Sequence, residues 1–153
     1  MPLTAPTGTS SEAPVNAGDA AACDPTKVTV EAVTDATSYD AGVNPALSFT
    51  LKSIMTDPCL LAVGTDVQEY KITSGDELIW TSKDCQTDNV AATVVLQPGV
   101  PKSGSSLTWD RTRSSKDTCD SAREPVIAEG ASYHLTVVVG ELTSKNDRQF
   151  LLY

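Results

Sequence analysis

The chain has 153 residues, enough for one domain of ordinary size with its own hydrophobic core. Its 20 acidic residues against 11 basic ones give a formal net charge of -9. That charge argues against nucleic acid and anionic lipid surfaces as partners, because both select for basic patches. The sequence contains no run of about 18 apolar residues, so it predicts no segment that spans a bilayer.

The first 22 residues differ in composition from the rest of the chain. Pro2 to Ala22 consists mainly of Pro, Thr, Ser, Ala and Gly, and such a segment buries too little apolar surface to offset its ordering entropy. We therefore predict a flexible linker over residues 1–22, which would act as a stalk between a membrane anchor and a folded domain at 23–153. The start of the sequence lacks the basic and apolar stretches of an export signal, so we expect that a targeting segment has been removed.

Short segments of alternating apolar and polar residues recur after the linker, separated by turns rich in Gly, Pro, Asn and Asp. Such alternation is the period of half-buried strands. Strands are predicted at 27–33, 47–53, 59–63, 67–73, 77–80, 90–97, 105–110, 133–139 and 149–153. Residues 38–45 are predicted as a turn region, and residues 111–130 as a long loop. No segment keeps a helical period over three turns, so the pattern predicts a β-sandwich with almost no helix.

The four cysteines, Cys23, Cys59, Cys85 and Cys119, are widely spaced. The chain has no C-x-x-C pair and a single histidine, so a closed zinc site is not indicated. The spacing favours two disulfides and an oxidising compartment outside the cytoplasm; the alternative is four free buried thiols in a cytosolic protein. Of the three possible connectivities, we favour Cys23–Cys59 with Cys85–Cys119, because each half of the sandwich then carries its own covalent link.

Four motifs in the second half of the chain come in a recognisable order: Trp80 at a strand end, Leu96-Gln97-Pro98-Gly99, Leu107-Thr108-Trp109-Asp110, and Glu129-Gly130-Ala131-Ser132-Tyr133-His134-Leu135. This series resembles the Ig-like intracellular proteinase inhibitor family (BsuPI-type), in which a strand-end Trp, an L-x-P-G turn, a W-x strand and a G-x-Y-x-L strand recur. With its cysteines and Pro/Thr-rich leader, the chain is more closely similar to extracytoplasmic domains of actinobacterial membrane-anchored proteins of unassigned function.

The resemblance covers roughly Cys23 to Leu152 and implies an all-β, Ig-like antiparallel β-sandwich. It specifies a fold and leaves the activity open. An intracellular inhibitor needs no disulfides, and no residues of this chain match a reactive loop. We therefore do not carry the inhibitory activity over.

The sequence shows no legible catalytic, metal-binding or cofactor-binding motif. It contains no G-x-S-x-G elbow and no glycine-rich phosphate loop. Ser106, Asp110 and His134 are the residue types of a catalytic triad, but nothing in the sequence brings them together, and His134 is expected to point to solvent. Acidic residues around the central hairpins lack the spacing of a calcium loop and are interpreted as a solvated face: Asp57, Asp66, Glu69, Asp76, Glu77, Asp84 and Asp88. We expect no enzymatic activity, no metal and no cofactor.

The predicted loop at 111–130 is the candidate for binding a partner, because function concentrates on loops held by a rigid scaffold. It gathers four of the chain's 11 basic residues: Arg111, Arg113, Lys116 and Arg123. The alternative is an ordinary solvated loop. Trp80 and Trp109 are expected in the core; only an exposed tryptophan beside Tyr39 or Tyr70 would offer a sugar-stacking platform.

The function predicted from these features is a non-enzymatic protein–protein interaction module of the bacterial cell envelope. It would be the exposed part of a membrane-anchored protein, with an envelope protein as its partner. The alternatives are a proteinase inhibitor, which the resemblance suggests, and a domain that binds cell-wall glycan.

Overall fold

The computed structural model describes residues 20–86, 89–104, 106–115, 119 and 123–153. Over these residues the protein is all-β, with a 3-10 turn at Pro25–Lys27 and no α-helix. No helix in this part of the chain is long and apolar enough to cross a membrane. The strands are β1 (Ala21–Ala22), β2 (Val28–Thr34), β3 (Ser38–Tyr39), β4 (Ala46–Ser53), β5 (Cys59–Ala62), β6 (Gln68–Ser74), β7 (Glu77–Thr81), β8 (Thr93–Leu96), β9 (Lys102–Ser103), β10 (Leu107–Thr108), β11 (Ala131–Val139), β12 (Leu142–Thr143) and β13 (Arg148–Leu152).

Two sheets face each other across one core. In the first sheet the strand order is β10-β4-β2, and β9 pairs with β4 beside β10. In the second sheet the order is β3-β13-β11-β6-β7, and β12 pairs with β11. Neighbouring strands in both sheets are antiparallel, except that β3 runs parallel to β13. This arrangement confirms the predicted Ig-like β-sandwich.

A third, smaller sheet of order β1-β5-β8 lies beside β4. An isolated bridge between Ser53, at the end of β4, and Pro98, just after β8, connects the two. β1 consists of the last two residues of the predicted linker and runs parallel to β5. The remainder of that linker, residues 1–19, lies outside the described residues. Cys59 and Leu96 are opposite each other on β5 and β8, and both are buried, so this sheet adds to the sandwich core.

Both predicted disulfides are present. Cys23–Cys59 ties the segment after β1 to the start of β5, and Cys85–Cys119 ties the segment after β7 to the predicted loop at 111–130. Neither disulfide connects the two main sheets across the core. The pairing suggests an oxidising environment outside the cytoplasm, because disulfides are rare in reducing compartments.

Alternation along the strands determines which side chains form the core. β11 buries Tyr133, Leu135, Val137 and Val139, whereas the residues between them are only partly buried. β2 and β4 show the same period of two. Full burial of each large apolar side chain stabilises the fold by about 1.5–3 kcal/mol, so the facing rows of these strands hold the two sheets together.

Trp109 is the centre of the aromatic part of the core and is 0% exposed. Its ring centroid lies 5.8 Å from that of Tyr133, 6.1 Å from Phe150 and 6.3 Å from Trp80. Its indole N–H donates to the carbonyl of Thr112 at 3.0 Å, so the buried polar atom has a partner. Trp80 is only 8% exposed, so both tryptophans belong to the core, as predicted. Neither tryptophan is exposed in the way that a sugar-stacking platform would require.

Tyr133, near the start of β11, donates its hydroxyl hydrogen to the carbonyl of Ile127. Burial raises the pKa of this hydroxyl, which keeps it neutral and able to donate. A tyrosine at the start of a sandwich strand that bonds backward to the preceding segment is the tyrosine corner of Ig-like domains. The G-x-Y-x-L motif therefore has a structural role in fixing the entry into β11.

The structure corrects two of the predicted elements. Residues 38–45 were expected to be a turn region, but Ser38 and Tyr39 form β3, which pairs with Leu151 and Leu152. A strand of two residues has no alternation to reveal it, and its partner is distant in the chain. The strand predicted at 90–97 is also shorter, because regular pairing with β5 covers only Thr93–Leu96.

Candidate functional site: the open side of the sandwich

The edge of β7 is covered by a residue of the predicted partner-binding loop. Ser114 donates its backbone N–H to the carbonyl of Ile79 at 3.2 Å, and its Oγ accepts the backbone N–H of Thr81 at 3.0 Å. The same hydroxyl donates to Oδ2 of Asp84 at 2.7 Å. An uncovered edge strand is a template for pairing with another chain, so Ser114 blocks this edge against such pairing.

The loop at 111–130 is more regular than its sequence predicts. The backbone N–H of Arg113 donates to the carbonyl of Glu124, and that of Val126 donates to the carbonyl of Arg111, both at 2.9 Å. An antiparallel bridge between Thr112 and Pro125 lies between these bonds. The two ends of the loop are thus held together, and the Cys85–Cys119 disulfide fixes its middle to the segment after β7.

Arg111, predicted as a partner-binding residue, forms a bond network inside the protein. Its Nη1 donates to the carbonyls of Asp40 and Val43 at 2.9 and 3.0 Å, and its Nη2 donates to the backbone oxygen of Tyr153 at 2.6 Å. The guanidinium therefore joins the turn before β4 to the end of β13. Its backbone has φ = 63°, a left-handed conformation that non-glycine residues adopt rarely.

The other basic residues of the loop have acidic partners or lie outside the described residues. Nη1 of Arg113 lies 2.8 Å from Oε2 of Glu77, and the hydrogen bond from Arg113 holds the pKa of the Glu77 carboxyl below its usual range. Nη1 of Arg123 lies 3.4 Å from Oδ2 of Asp110. Lys116 is outside the described residues. The described basic residues thus have intramolecular contacts, and the proposed role of the loop in binding a partner stays a prediction.

The first sheet has an edge without such a cover in the described part of the chain. β9 and β10 pair with β4 on one side, and no described strand pairs with their other side. The N–H of Trp109 donates to the carbonyl of Pro45, so by antiparallel alternation the N–H of Thr108 points away from β4. Backbone groups of β10 are therefore available to a further strand.

Between this free edge and the β6–β7 hairpin lie two adjoining cavities of about 260 and 310 Å³, which we call the open-side groove. They share Ser82, Gln86 and Leu107 in their linings. The apolar floor is Tyr70, Trp80 and Leu107, and the remaining lining is mostly hydroxyl and amide groups: Thr65, Gln68, Thr81, Ser82, Gln86, Ser106 and Ser114, with Cys85 of the disulfide. An apolar surface with a few polar groups is typical of a binding site.

The groove is nearly neutral in a strongly acidic protein. Among the described residues of its lining, Arg123 is the only charged one, and its Nε is buried there without a hydrogen-bond partner. Burial raises the pKa of Tyr70 to about 12, so its phenol is uncharged at neutral pH. The described lining of the groove therefore carries a single positive charge, that of Arg123.

A second, more apolar cavity of about 280 Å³ adjoins the groove, because Thr65 and Gln68 line both. We call it the apolar pocket. It lies between the small sheet and β4, and Phe49, Val63 and Val94 are among its lining residues. Sequence reasoning missed the pocket and the groove because their residues come from segments that are far apart in the chain.

Two residues of the hypothetical triad, His134 and Asp110, have other partners. Nδ1 of His134 lies 3.2 Å from Oδ2 of Asp147, and the histidine side chain is 31% exposed. Asp110 accepts the hydroxyl hydrogen of Thr112 and contacts Arg123. Ser106 lines the open-side groove. No hydrogen bond or ion pair connects Ser106, Asp110 and His134, so the structure gives no support to a triad.

Acidic residues do not gather into a metal site in the described part of the chain, where no group of three or more His, Cys, Asp or Glu residues could hold an ion. Glu69 accepts the hydroxyl hydrogen of Thr81 at 2.6 Å, Glu77 pairs with Arg113, and Asp84 accepts from Ser114. Asp88 of the predicted solvated face lies outside the described residues.

Comparisons with known proteins do not assign the chain to a family. No family model matches it, and no curated protein matches it in a search by sequence. Among solved structures, it is similar to Spo0M, the sporulation control protein from Bacillus subtilis, with 11% sequence identity and a TM-score of 0.40. The match covers 82% of this chain and 49% of the Spo0M chain, so the chain spans about half the length of that protein.

Proposed function

We propose that the chain is a non-enzymatic protein-interaction module of the bacterial cell envelope, and that it is the exposed part of a membrane-anchored protein. The observation that carries this proposal is the free edge of β9 and β10 beside the open-side groove. An extended segment of a partner would add a strand to this edge, and its side chains would enter the groove. The two disulfides support a location outside the cytoplasm.

The contrast between the two edges supports this choice of interface. On β7, Ser114 satisfies backbone groups of Ile79 and Thr81. On β10, the N–H of Thr108 points away from β4, and the neighbouring Leu107 lines the groove together with Tyr70. A protein that protects one edge and leaves the other beside an apolar floor is suited to adding a strand there.

The experiment is site-specific photocrosslinking in native cells, with the photoreactive residue at Gln86, at Lys116 or at the exposed control position Glu141. We expect a discrete partner band from Gln86 and none from Glu141. A Thr108→Pro variant should fold, since proline is tolerated where the N–H faces outward on an edge strand, and should lose the band.

The other outcomes separate the alternatives. A band from Lys116 alone would place the interface on the disulfide loop and not in the groove. Silence at all three positions would contradict the proposal. Loss of protease activity at stoichiometric amounts of the domain would then favour a proteinase inhibitor, and retention on purified cell-wall glycan would favour a glycan-binding domain.

A further inference from the structure

The apolar pocket has the features of a site for a small ligand. It has a volume of about 280 Å³, and its apolar lining residues are Phe49, Leu51, Val63, Val90, Ala92 and Val94. Val90 is 52% exposed, so the pocket is accessible from solvent. Its volume corresponds to that of roughly nine molecules of liquid water and lies near the lower end of the range for ligand sites.

No described side chain fills the apolar pocket. A Cβ on Gly104 would lie 2.4 Å from Cζ of Phe49, so the segment that borders the pocket at this point carries no side chain. Protein cores are normally packed to a density that leaves few voids larger than a water molecule. Apolar walls hold water poorly, so an apolar ligand would gain free energy by entering.

Lys102 is the only charged residue among the described residues that line the pocket. Its ammonium has no hydrogen bond or ion pair with any described residue, although the protein has a net charge of -9. The carboxylate of Asp66 lies close to Gly64, with Oδ1 2.7 Å from the position of a Cβ there, but Asp66 is not part of the lining. The pocket thus combines an apolar interior with one unpaired cation.

We propose that the apolar pocket binds the hydrocarbon chain of a small carboxylate amphiphile, whose carboxylate pairs with Lys102. The chain length is limited by the volume, and the sign of the head group is set by the ammonium. This inference is independent of the proposed interaction with a protein partner, because it concerns a ligand that the isolated domain would bind.

The first test is a titration of the purified, disulfide-intact chain with butyrate, hexanoate, octanoate and octylammonium, followed by methyl NMR. We expect the affinity to rise by about fourfold for each added CH₂ until the pocket is full. The methyl signals of Val63, Val90 and Val94 should shift, and octylammonium should bind more weakly than octanoate. Equal binding of both head groups, or shifts at Leu107 in place of the valines, would overturn the proposal.

The second test uses variants that alter the pocket without removing a core residue. Ala92→Phe places a ring in the cavity from an exposed position and should weaken octanoate binding by at least about tenfold. Lys102→Gln should reduce the preference for octanoate over octylammonium, whereas the control Lys71→Gln, outside the pocket, should not. Thermal unfolding of each variant shows that it is folded. Octanoate binding that is unchanged in a folded Ala92→Phe variant would contradict the assignment.

Discussion

Ser114 and Thr81 are joined by a hydrogen bond of 3.0 Å from the backbone N–H of Thr81 to Oγ of Ser114. Thr81 ends β7, and Ser114 belongs to a loop that comes later in the chain, after the three strands β8, β9 and β10. The bond shows that the loop after β10 is part of the second sheet's edge. The hairpin at its base and the disulfide at its middle both hold Ser114 in this position.

Replacement of this serine should loosen the edge. Ser114→Ala removes the acceptor of the Thr81 N–H, and we expect a loss of about 1 kcal/mol in the free energy of unfolding. Amide hydrogen exchange at Thr81 should become faster than in the parent. The control is Ser103→Ala on the exposed strand β9, which should leave both quantities unchanged. Unaltered exchange at Thr81 in Ser114→Ala would contradict the role of the hydroxyl.

The two disulfides should stabilise different parts of the molecule. Their sequence separations are 36 for Cys23–Cys59 and 34 for Cys85–Cys119, so the loop-entropy model predicts a similar stabilisation of about 3–4 kcal/mol from each. Replacing Cys85 and Cys119 together by serine should also speed hydrogen exchange at Thr81, because the loop that carries Ser114 loses its covalent link. Replacing Cys23 and Cys59 should leave that amide protected. Equal effects of both double variants at Thr81 would show that the loop is held without its disulfide.

Arg111 and Arg113 should differ in their effect on stability, although sequence reasoning grouped them in one binding loop. Arg111→Ala removes the donor to three backbone oxygens, and we expect a loss of about 2 kcal/mol. Arg113→Ala breaks an exposed ion pair with Glu77 and should change the stability little. Chemical unfolding of both variants measures the difference. A larger effect for Arg113→Ala would contradict the structural role of Arg111.

Sequence alone predicted the strands that have clear alternation, including β2, β4, β6 and β11, because one face of each is buried against the opposite sheet. It also predicted the disulfide pairing and the burial of both tryptophans. It missed β3 and β9, whose two residues carry no periodic signal.

The candidate site was less predictable than the fold for a physical reason. In the sequence, the loop at 111–130 was notable only for its basic residues. In the structure, Arg111 donates to backbone oxygens and Arg113 pairs with Glu77. The groove depends on Tyr70, Gln86 and Leu107 meeting across strands, and such contacts arise only from the tertiary packing. Local patterns report burial, but they do not report which surfaces remain unpaired.

Asp35 and Tyr39 form a hydrogen-bonded pair that should make the stability depend on pH at both extremes. The hydroxyl of Tyr39 donates to Oδ1 of Asp35, and this bond lowers the pKa of the carboxyl below its ordinary value of 3.8. Burial, and then the bond to Asp35, raises the pKa of Tyr39 from 10.0 to about 12. In acid, the contribution of Asp35 to the free energy of unfolding is present above about pH 4. It is lost as the pH falls toward the lowered pKa, because the carboxyl of the unfolded chain binds its proton at a higher pH than that of the folded protein.

In alkali the sign is reversed. The unfolded chain releases the phenolic proton of Tyr39 near pH 10, while the folded protein retains it to about 12, so stability falls as the pH rises between these values. Asp35→Asn should flatten the acid side of the profile and lower the pKa of Tyr39, although burial should still keep that pKa above 10.0. The measurements are urea unfolding from pH 3 to 7 and the phenolate absorbance from pH 9 to 13. Asp57→Asn, at an exposed position, is the matched control, and an acid profile of Asp35→Asn identical to that of the parent would contradict the coupling.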